Sequence, residues 1–207
     1  MAGKGVDMRI LGLLVMGMVI MAQTAAGTDL VKSCAVCHGP DGVSRWSDVP
    51  NIAGLPEVVI ANALYDFRGH SRPCRKAACA ADGACPDVDM CEVAKPLSDG
   101  EMDMIARYYS ARPFSPSVAD YDVAKASIGA VIHEQRCEVC HSGGGSDPKD
   151  EASILRGQNI DYVRNALSDY RSGDRLGEEA MLKHLNLKAL DDDQVDALVN
   201  FYASPMN

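Results

Sequence analysis

The chain shows no stretch in which apolar and polar residues alternate as they do in a half-buried strand, whereas helix signals recur along its length. Helices are predicted over residues 28–34, 56–68, 122–137 and 160–171. Short polar side chains stand where the first and third of these helices begin. Pro56 suits the first turn of the second, because the N–H that proline lacks would have no helical partner there. An all-α fold is therefore expected.

Capping boxes mark two further helices. Ser98 is followed three residues later by Glu101, and Asp191 is followed by Gln194 at the same spacing. In such a box the two side chains satisfy backbone N–H groups that the first helical turn leaves free. The segments after the boxes are therefore predicted to form the final helix of each half of the chain.

The first 26 residues have the order of a secretory signal peptide. Lys4 and Arg9 precede an apolar run over residues 10–21, and small residues follow it up to Ala26. The run has 12 residues, whereas a membrane-spanning helix needs about 20. A retained membrane anchor is the alternative, but the length favours cleavage near Ala26 and export to the periplasm. No later segment is apolar enough to span a bilayer, so no membrane span is expected in the mature chain.

The chain is acidic, with a formal net charge of −9 that becomes one unit more negative when residues 1–26 are removed. An acidic surface repels nucleic acid, so no nucleic-acid partner is expected. The same charge suits a basic protein partner. Acidity can also serve solubility alone, so the charge says little about the chemistry.

A long segment of the chain occurs twice. The pentapeptide "CAVCH" at residues 34–38 returns as "CEVCH" at residues 137–141, at an offset of 103 positions. The same offset aligns residues 53–72 with residues 156–175, and an offset of 93 aligns the two capped final helices. Two copies of this length indicate a duplicated domain and are too few for a solenoid.

The duplication predicts two tandem domains joined by a linker. The first domain is predicted over residues 27–112 and the second over residues 122–207, with a proline- and serine-rich linker at residues 113–121. Domains of this size bury a limited core and often need a cofactor or cross-link. Only three Phe and one Trp are available for such cores.

The repeated pentapeptide predicts covalent attachment of haem. Spacings of three and four residues place both cysteines and the histidine on one face of a helix, and Cys-x-x-Cys-His is the attachment motif of c-type haem. A redox disulfide is the alternative, but no βαβ pattern surrounds either copy. A zinc site would not require a histidine directly after each second cysteine. Two covalent haem c groups are expected, with Cys34, Cys37, Cys137 and Cys140 as attachment sites and His38 and His141 as iron ligands.

Methionine is the expected sixth ligand of each iron, since it raises the reduction potential. Met90 and Met181 are the candidates, because each lies in the segment before a capped final helix, which is expected to be a loop. Met102 and Met104 lie inside the final helix of the first half and are interpreted as packing residues. His184 is the alternative to Met181, but the first half has no histidine at the corresponding place.

Arg72 and Arg175 occupy the same position of the repeat. Haem propionates need cationic or donor partners, for which arginine is well suited, and a solvated helix end is the alternative interpretation. His70 and His133 have no counterparts in the other half and are interpreted as ordinary surface or packing residues.

The first half contains an insertion rich in cysteine. Seventeen residues separate Arg72 from Met90, whereas five separate Arg175 from Met181. Two disulfides are expected in an exported protein, and a soft-metal site of four thiolates is the alternative. Sequence does not choose among the three possible pairings of four cysteines. The residues concerned are Cys74, Cys79, Cys85 and Cys91.

The whole exported chain resembles two-domain, two-haem cytochromes of the c-four class. Residues 122–141, 154–181 and 198–204 resemble in particular the cytochrome subunit of flavocytochrome c sulfide dehydrogenase. The resemblance implies two tandem class I cytochrome c domains, and a heterodimer with a flavin-bearing subunit that oxidises sulfide and passes electrons to the haems. The chain has no dinucleotide-binding fingerprint, because its glycine-rich residues 141–147 follow a haem motif rather than a strand. It is therefore not expected to oxidise sulfide alone.

Two other functions stay open. One is a free-standing c-four-type carrier that delivers electrons to a terminal oxidase, and the other is a two-haem thiosulfate dehydrogenase. For the heterodimer, the first domain is expected to face the flavin subunit, because a cross-linked insertion loses less ordering entropy on binding.

Overall fold

The computed structural model describes residues 29–176 and 178–206. The predicted signal peptide lies outside the described residues. Helices account for most of the described chain, and its only β-pairing is a single antiparallel bridge between Lys76 and Asp89. In chain order the helices are α1 (residues 29–38), α2 (Glu57–Arg68), α3 (Ala78–Ala81), α4 (Met90–Ala94), α5 (Asp99–Ser110), α6 (Val123–Arg136), α7 (Ser142–Gly145), α8 (Ile160–Ser172), α9 (Glu178–Leu187) and α10 (Asp192–Ala203).

The helix starts follow the local signals in the sequence. Both capping boxes are present, with Ser98 and Glu101 beginning α5 and Asp191 and Gln194 beginning α10. The Asp122 carboxylate accepts a hydrogen bond from a backbone N–H in the first turn of α6. These predictions are confirmed, as are the ends of α2 and α8 to within one residue.

The segments before the two final helices differ from the expected loops. Met90 is the first residue of the short helix α4, and Met181 lies within α9. A capping box that the sequence analysis missed begins α4, because Asp89 and Glu92 satisfy each other's backbone N–H groups. The short insertion helix α3 was also unexpected.

Each half of the chain has its own apolar core. In the first half α2 packs against α5, and Met102 is fully buried there as a packing residue. In the second half α6 packs against α10 at very close range. Gly129 permits this crossing, because a Cβ atom added to it would lie 2.1 Å from the carbonyl oxygen of Ala197. The first core comprises Val31, Leu55, Ile60, Leu64, Ala94, Met102, Ile105, Ala106 and Tyr109, together with Ile154 from the second half, and the second comprises Ile132, Val163, Leu187, Leu190, Ala197, Leu198, Val199, Phe201 and Tyr202.

Buried amides join the two halves. The backbone N–H of Asn51 donates to Oε1 of Gln158 at 3.0 Å, and Nε2 of Gln158 donates to the carbonyl oxygen of Asn51 at 2.6 Å. Nδ2 of Asn159 donates to the carbonyl oxygen of Val49 at 2.6 Å. Because a buried polar group without a partner costs about 1–3 kcal/mol, this reciprocal pairing fixes how the halves meet.

Residues 113–121, predicted as the linker, contain no helix and contact both halves. The carbonyl oxygen of Ser115 accepts a hydrogen bond from Nδ2 of Asn51 at 2.9 Å, and the backbone N–H of Ser117 donates to the carbonyl oxygen of Gly157 at 2.7 Å. The segment is therefore part of the contact between the halves. Among the described residues, no helix combines the length and the apolar character that crossing a membrane requires.

Candidate functional site

The two pentapeptides hold the four free cysteines of the described chain. Cys34, Cys37, Cys137 and Cys140 are unpaired, whereas the other four cysteines are in disulfides. The first pentapeptide forms the last turn of α1, as expected. The second lies just beyond the end of α6 in a hydrogen-bonded turn, where the backbone N–H of His141 donates to the carbonyl oxygen of Cys137 at 2.9 Å. Both pairs of thiols are therefore available for thioether bonds.

The two histidines have matching hydrogen bonds. Nδ1 of His38 donates to the carbonyl oxygen of Pro50 at 2.9 Å, and Nδ1 of His141 donates to that of Ser153 at 3.0 Å. Both acceptors lie 12 residues beyond their histidine. A carbonyl oxygen only accepts, so each Nδ1 carries the proton and each Nε2 keeps its lone pair for a metal. Burial lowers the pKa of both rings, which favours this neutral form.

Buried polar groups surround the second pentapeptide. His133, interpreted from sequence as a surface or packing residue, is 1% exposed, and its Nδ1 is 2.8 Å from the hydroxyl of Tyr202. Oε2 of Glu138 is 2.9 Å from Nε2 of His133 and accepts a hydrogen bond from the backbone N–H of Gly144. Its other oxygen accepts one from Gly143. The glycine-rich stretch is thus a tight turn in which Glu138 accepts from Gly143 and Gly144, and Asp150 accepts from Ser142.

Of the two methionines predicted as sixth ligands, only Met90 has a described side chain. Met90 packs, together with Cys34, against the core of the first half. The side chain of Met181 lies outside the described part of the chain. Nδ1 of its alternative, His184, is 3.0 Å from the carbonyl oxygen of Tyr170, so that nitrogen already has a partner.

Arg72 and Arg175 have equivalent surroundings. The guanidinium of Arg72 stacks 4.4 Å from the ring centre of Phe67, and that of Arg175 stacks 4.2 Å from the ring centre of Tyr170. The two aromatic residues are themselves repeat partners. The first half and the second half therefore each hold one arginine by the same stacking contact.

Both arginines converge on Tyr162, a residue of α8. Nη2 of Arg72 is 3.4 Å from the Tyr162 hydroxyl, which Arg175 also contacts. Burial would raise the pKa of this phenol, but the two guanidinium groups outweigh it and lower the pKa. The backbone N–H of Tyr162 donates to the carbonyl oxygen of Ser47 at 2.9 Å, so the tyrosine is held by the opposite half.

Each arginine of this pair has one unused hydrogen-bond donor in the described part of the chain. Nε of Arg72 and Nε of Arg175 are buried and have no hydrogen-bond partner among the described residues. Unpaired buried donors on two cations favour a doubly anionic partner. The carboxylates of haem propionates have this chemistry, so the residues present fit the group that the pentapeptides imply.

The inserted tract is cross-linked twice. Cys74 is bonded to Cys91, and Cys79 is bonded to Cys85. The structure therefore has these cysteines as disulfides rather than as four thiolates. The sulfur atoms of Cys79, Cys85 and the haem-motif residue Cys37 all lie within 4.8 Å of one another.

Two helical halves, each with a Cys-x-x-Cys-His motif, define a two-domain class I c-type cytochrome. The chain is 30% identical to cytochrome c4 of Stutzerimonas stutzeri over 91% of this chain and 94% of that protein. The crystal structure of reduced recombinant cytochrome c4 from Pseudomonas stutzeri matches with a TM-score of 0.68 and 27% identity, over 86% of this chain and 96% of that one. The chain belongs to the cytochrome c4 family. No protein-family model matches it.

A further relative names a redox partner. The chain is 28% identical to the thiosulfate dehydrogenase electron acceptor of Thiomonas intermedia (strain K12), over 88% of this chain and 83% of that protein. Membership of the cytochrome c4 family confirms the all-α, two-domain fold, the two covalently bound haem c groups and the function of electron transfer.

Proposed function

We propose that the chain is a periplasmic electron acceptor that receives electrons from a dehydrogenase and passes them to a soluble redox acceptor. The observation that carries this proposal is the pair of matched haem cradles in one chain, since each cradle pairs free cysteines with a histidine whose Nδ1 is bonded to a carbonyl. A bound haem supplies one-electron chemistry at its iron. Two such groups let the chain hold both electrons of a two-electron oxidation.

In the first half, Cys34 and Cys37 would form the thioether bonds and His38 would ligate the iron. Met90 would be the second iron ligand, and Arg72 would bind a propionate. The hydrogen bond to the Pro50 carbonyl fixes the His38 ring, so the ligand does not reorient when the charge of the site changes. Burial of His38, which is 8% exposed, keeps water from the iron-ligating nitrogen.

In the second half, Cys137 and Cys140 would form the thioether bonds, His141 and Met181 would ligate the iron, and Arg175 would bind a propionate. The guanidinium of Arg175 donates to the hydroxyl of Tyr170 at 2.6 Å and stacks on the same ring. Its position is therefore set before a propionate binds, which lowers the cost of ordering it.

Two dehydrogenases are candidate donors. The relative named as a thiosulfate dehydrogenase electron acceptor favours thiosulfate dehydrogenase, since its similarity extends over most of both chains. The resemblance of residues 154–181 to the cytochrome subunit of flavocytochrome c sulfide dehydrogenase favours a flavin-bearing sulfide dehydrogenase subunit in a heterodimer. A free-standing carrier to a terminal oxidase is the third assignment.

Reconstitution tests these assignments. The purified two-haem protein is mixed with thiosulfate and thiosulfate dehydrogenase, or with sulfide and the flavin-bearing subunit, and haem reduction is followed by absorbance. We expect fast reduction with the thiosulfate pair and none with either substrate alone. Reduction only by the sulfide pair would assign the flavoprotein partner instead. Reduction by neither pair, with a stable complex to a terminal oxidase, would assign the free carrier.

Location is tested separately. The first residue of the purified mature protein should lie just after Ala26, and the protein should be released with the periplasmic fraction. A mature chain that keeps residues 1–26 and remains with membranes would contradict both the cleavage and the location.

A further inference from the structure

The inserted tract folds back onto the haem motif of the first half. Cys79 has no exposed surface, and its sulfur and that of Cys85 lie within 4.8 Å of the sulfur of Cys37. The backbone N–H of Ala78 donates to Oδ2 of Asp48 at 2.6 Å, which ties α3 to the loop that follows the motif. The disulfide is therefore packed against the motif and does not stand out in solvent.

Two features hold the base of the tract in place. The disulfide between Cys74 and Cys91 closes it, and the ion pair between Lys76 and Asp87 spans 2.8 Å inside it. Small residues fill the span between Cys79 and Cys85, so the backbone can lie close to the motif. The tract is thus a compact cover with one cross-link at its base and another at its contact with Cys37.

At the corresponding place the second half has only five residues, between Arg175 and Met181, so it carries no insertion of this length. The two halves also differ in solvent exposure at matched positions of the repeat. Cys37 is partly buried, whereas Cys140 is exposed. Val36 is 49% exposed and its repeat partner Val139 is 96% exposed. The second cysteine of each motif therefore lies in a closed setting in the first half and an open one in the second.

A thioether joins the cysteine sulfur directly to the rim of the porphyrin, so a group that packs against Cys37 also packs against that rim. We propose that the inserted tract closes the Cys37 edge of the first haem, and that the chain exchanges electrons with other molecules through the Cys140 edge of the second haem. The first haem then gains and loses electrons through the second. This inference rests on the proposed haem attachment to both motifs.

The proposal reverses the expectation that the inserted tract presents the first half to the donor. The tract was expected to bind the donor because a cross-linked loop loses less ordering entropy on binding. The packing shows that the cross-linked tract turns its buried disulfide towards the motif of its own half. A partner bound over the tract would be separated from the first haem by an added protein layer.

Solvent access to each haem edge tests the proposal in the intact two-haem protein. A soluble gadolinium chelate is added to the reduced protein, and NMR relaxation is measured for the thioether protons beside Cys37 and Cys140. We expect the Cys140 protons to relax faster than the Cys37 protons. In the variant Cys79→Ser/Cys85→Ser the two rates should become equal through a rise at Cys37 alone.

Matched variants distinguish loss of the cover over Cys37 from a general loosening of the inserted tract. Cys74→Ser/Cys91→Ser removes the other disulfide and keeps the one that touches Cys37, so the difference between the two edges should persist. Asp48→Ala, which removes the carboxylate that holds Ala78, should raise the Cys37 rate in the same direction and serves if the double serine variant does not fold. Equal rates in the unaltered protein, or no rise at Cys37 in either loosened variant, would overturn the proposal. Absence of one set of haem signals would instead contradict the proposed haem attachment.

Discussion

The two halves of the chain keep the same hydrogen bonds around the histidine and differ at the second cysteine. His38 and His141 each donate to a carbonyl at almost the same distance, whereas Cys37 lies beneath a disulfide and Cys140 is open. The comparison shows that duplication has retained the contacts that orient each motif histidine. The surroundings of the second motif cysteine have diverged.

The retained parts extend to the framework behind each site. The backbone N–H of Gly54 donates to the carbonyl oxygen of Tyr109 at 2.9 Å, and that of Gly157 donates to Tyr202 at 2.8 Å. Both glycines have positive φ angles, which side-chain-bearing residues rarely adopt. One contact therefore ties the segment after each histidine to the final helix of the same half.

The largest expected effect comes from removing one pair of motif cysteines. The variants Cys34→Ala/Cys37→Ala and Cys137→Ala/Cys140→Ala should each carry one covalent haem, because the halves attach their haems independently. The mass of the denatured chain, measured for both variants and the unaltered protein, checks this. A variant that keeps two haems would show that the removed cysteines are not attachment sites. A variant that loses both would show that attachment in one half depends on the other half.

Replacing each proposed sixth ligand should change the reduction potential of one haem and not of the other. Axial ligand identity moves haem potentials over about 0.8 V, and histidine gives a lower potential than methionine. Met90→His should lower one of the two potentials and leave the other nearly unchanged, and Met181→His should do the reverse. Potentiometric titration followed by absorbance measures both. Survival of the full sulfur-to-iron absorption band in both variants would refute the ligand assignment.

A stability change confined to the second half comes next in size. Gly129→Ala places a methyl group against the carbonyl of Ala197, where α6 crosses α10, and overpacking of this kind costs about 1–3 kcal/mol. Denaturant unfolding followed by circular dichroism measures the loss. Gly100→Ala in α5 is the control, since nothing lies within 4 Å of its added Cβ, and it should not destabilise the protein. Equal stability of the two variants would mean that the helix crossing relaxes without cost.

Local signals in the sequence located the parts that the two halves share. Caps at Ser98, Asp122 and Asp191 act over three or four residues, so they could be identified without a fold. The box at Asp89 and Glu92 follows the same rule and could have predicted α4.

The parts in which the halves differ depend on contacts between distant segments. The repeat gave Arg72 and Arg175 as a pair, but nothing in the sequence marked Tyr162, which meets Arg72 across 90 positions of the chain. The contact of Cys79 with Cys37 likewise arises from how the insertion folds back. Such contacts follow from tertiary packing, which neither spacing nor composition specifies.

Tyr162, whose hydroxyl is contacted by one arginine of each half, gives the smallest predicted effect. Its hydroxyl contacts both arginines, each of which keeps an unpaired Nε. In Tyr162→Phe each guanidinium loses a partner and should pair more closely with the propionate proposed for it. A more fully neutralised propionate stabilises ferric iron less, so both haem potentials should rise together.

The control for this shared effect is Tyr170→Phe, which removes a hydroxyl that accepts a hydrogen bond from Arg175 at 2.6 Å. That variant should move the potential of the second haem alone, because Arg72 stacks on Phe67 and does not depend on Tyr170. Titration of both variants beside the unaltered protein gives the four shifts. If Tyr162→Phe moved only one potential, the phenol would belong to one half, and the electrostatic link between the two haem sites would have to run through other groups.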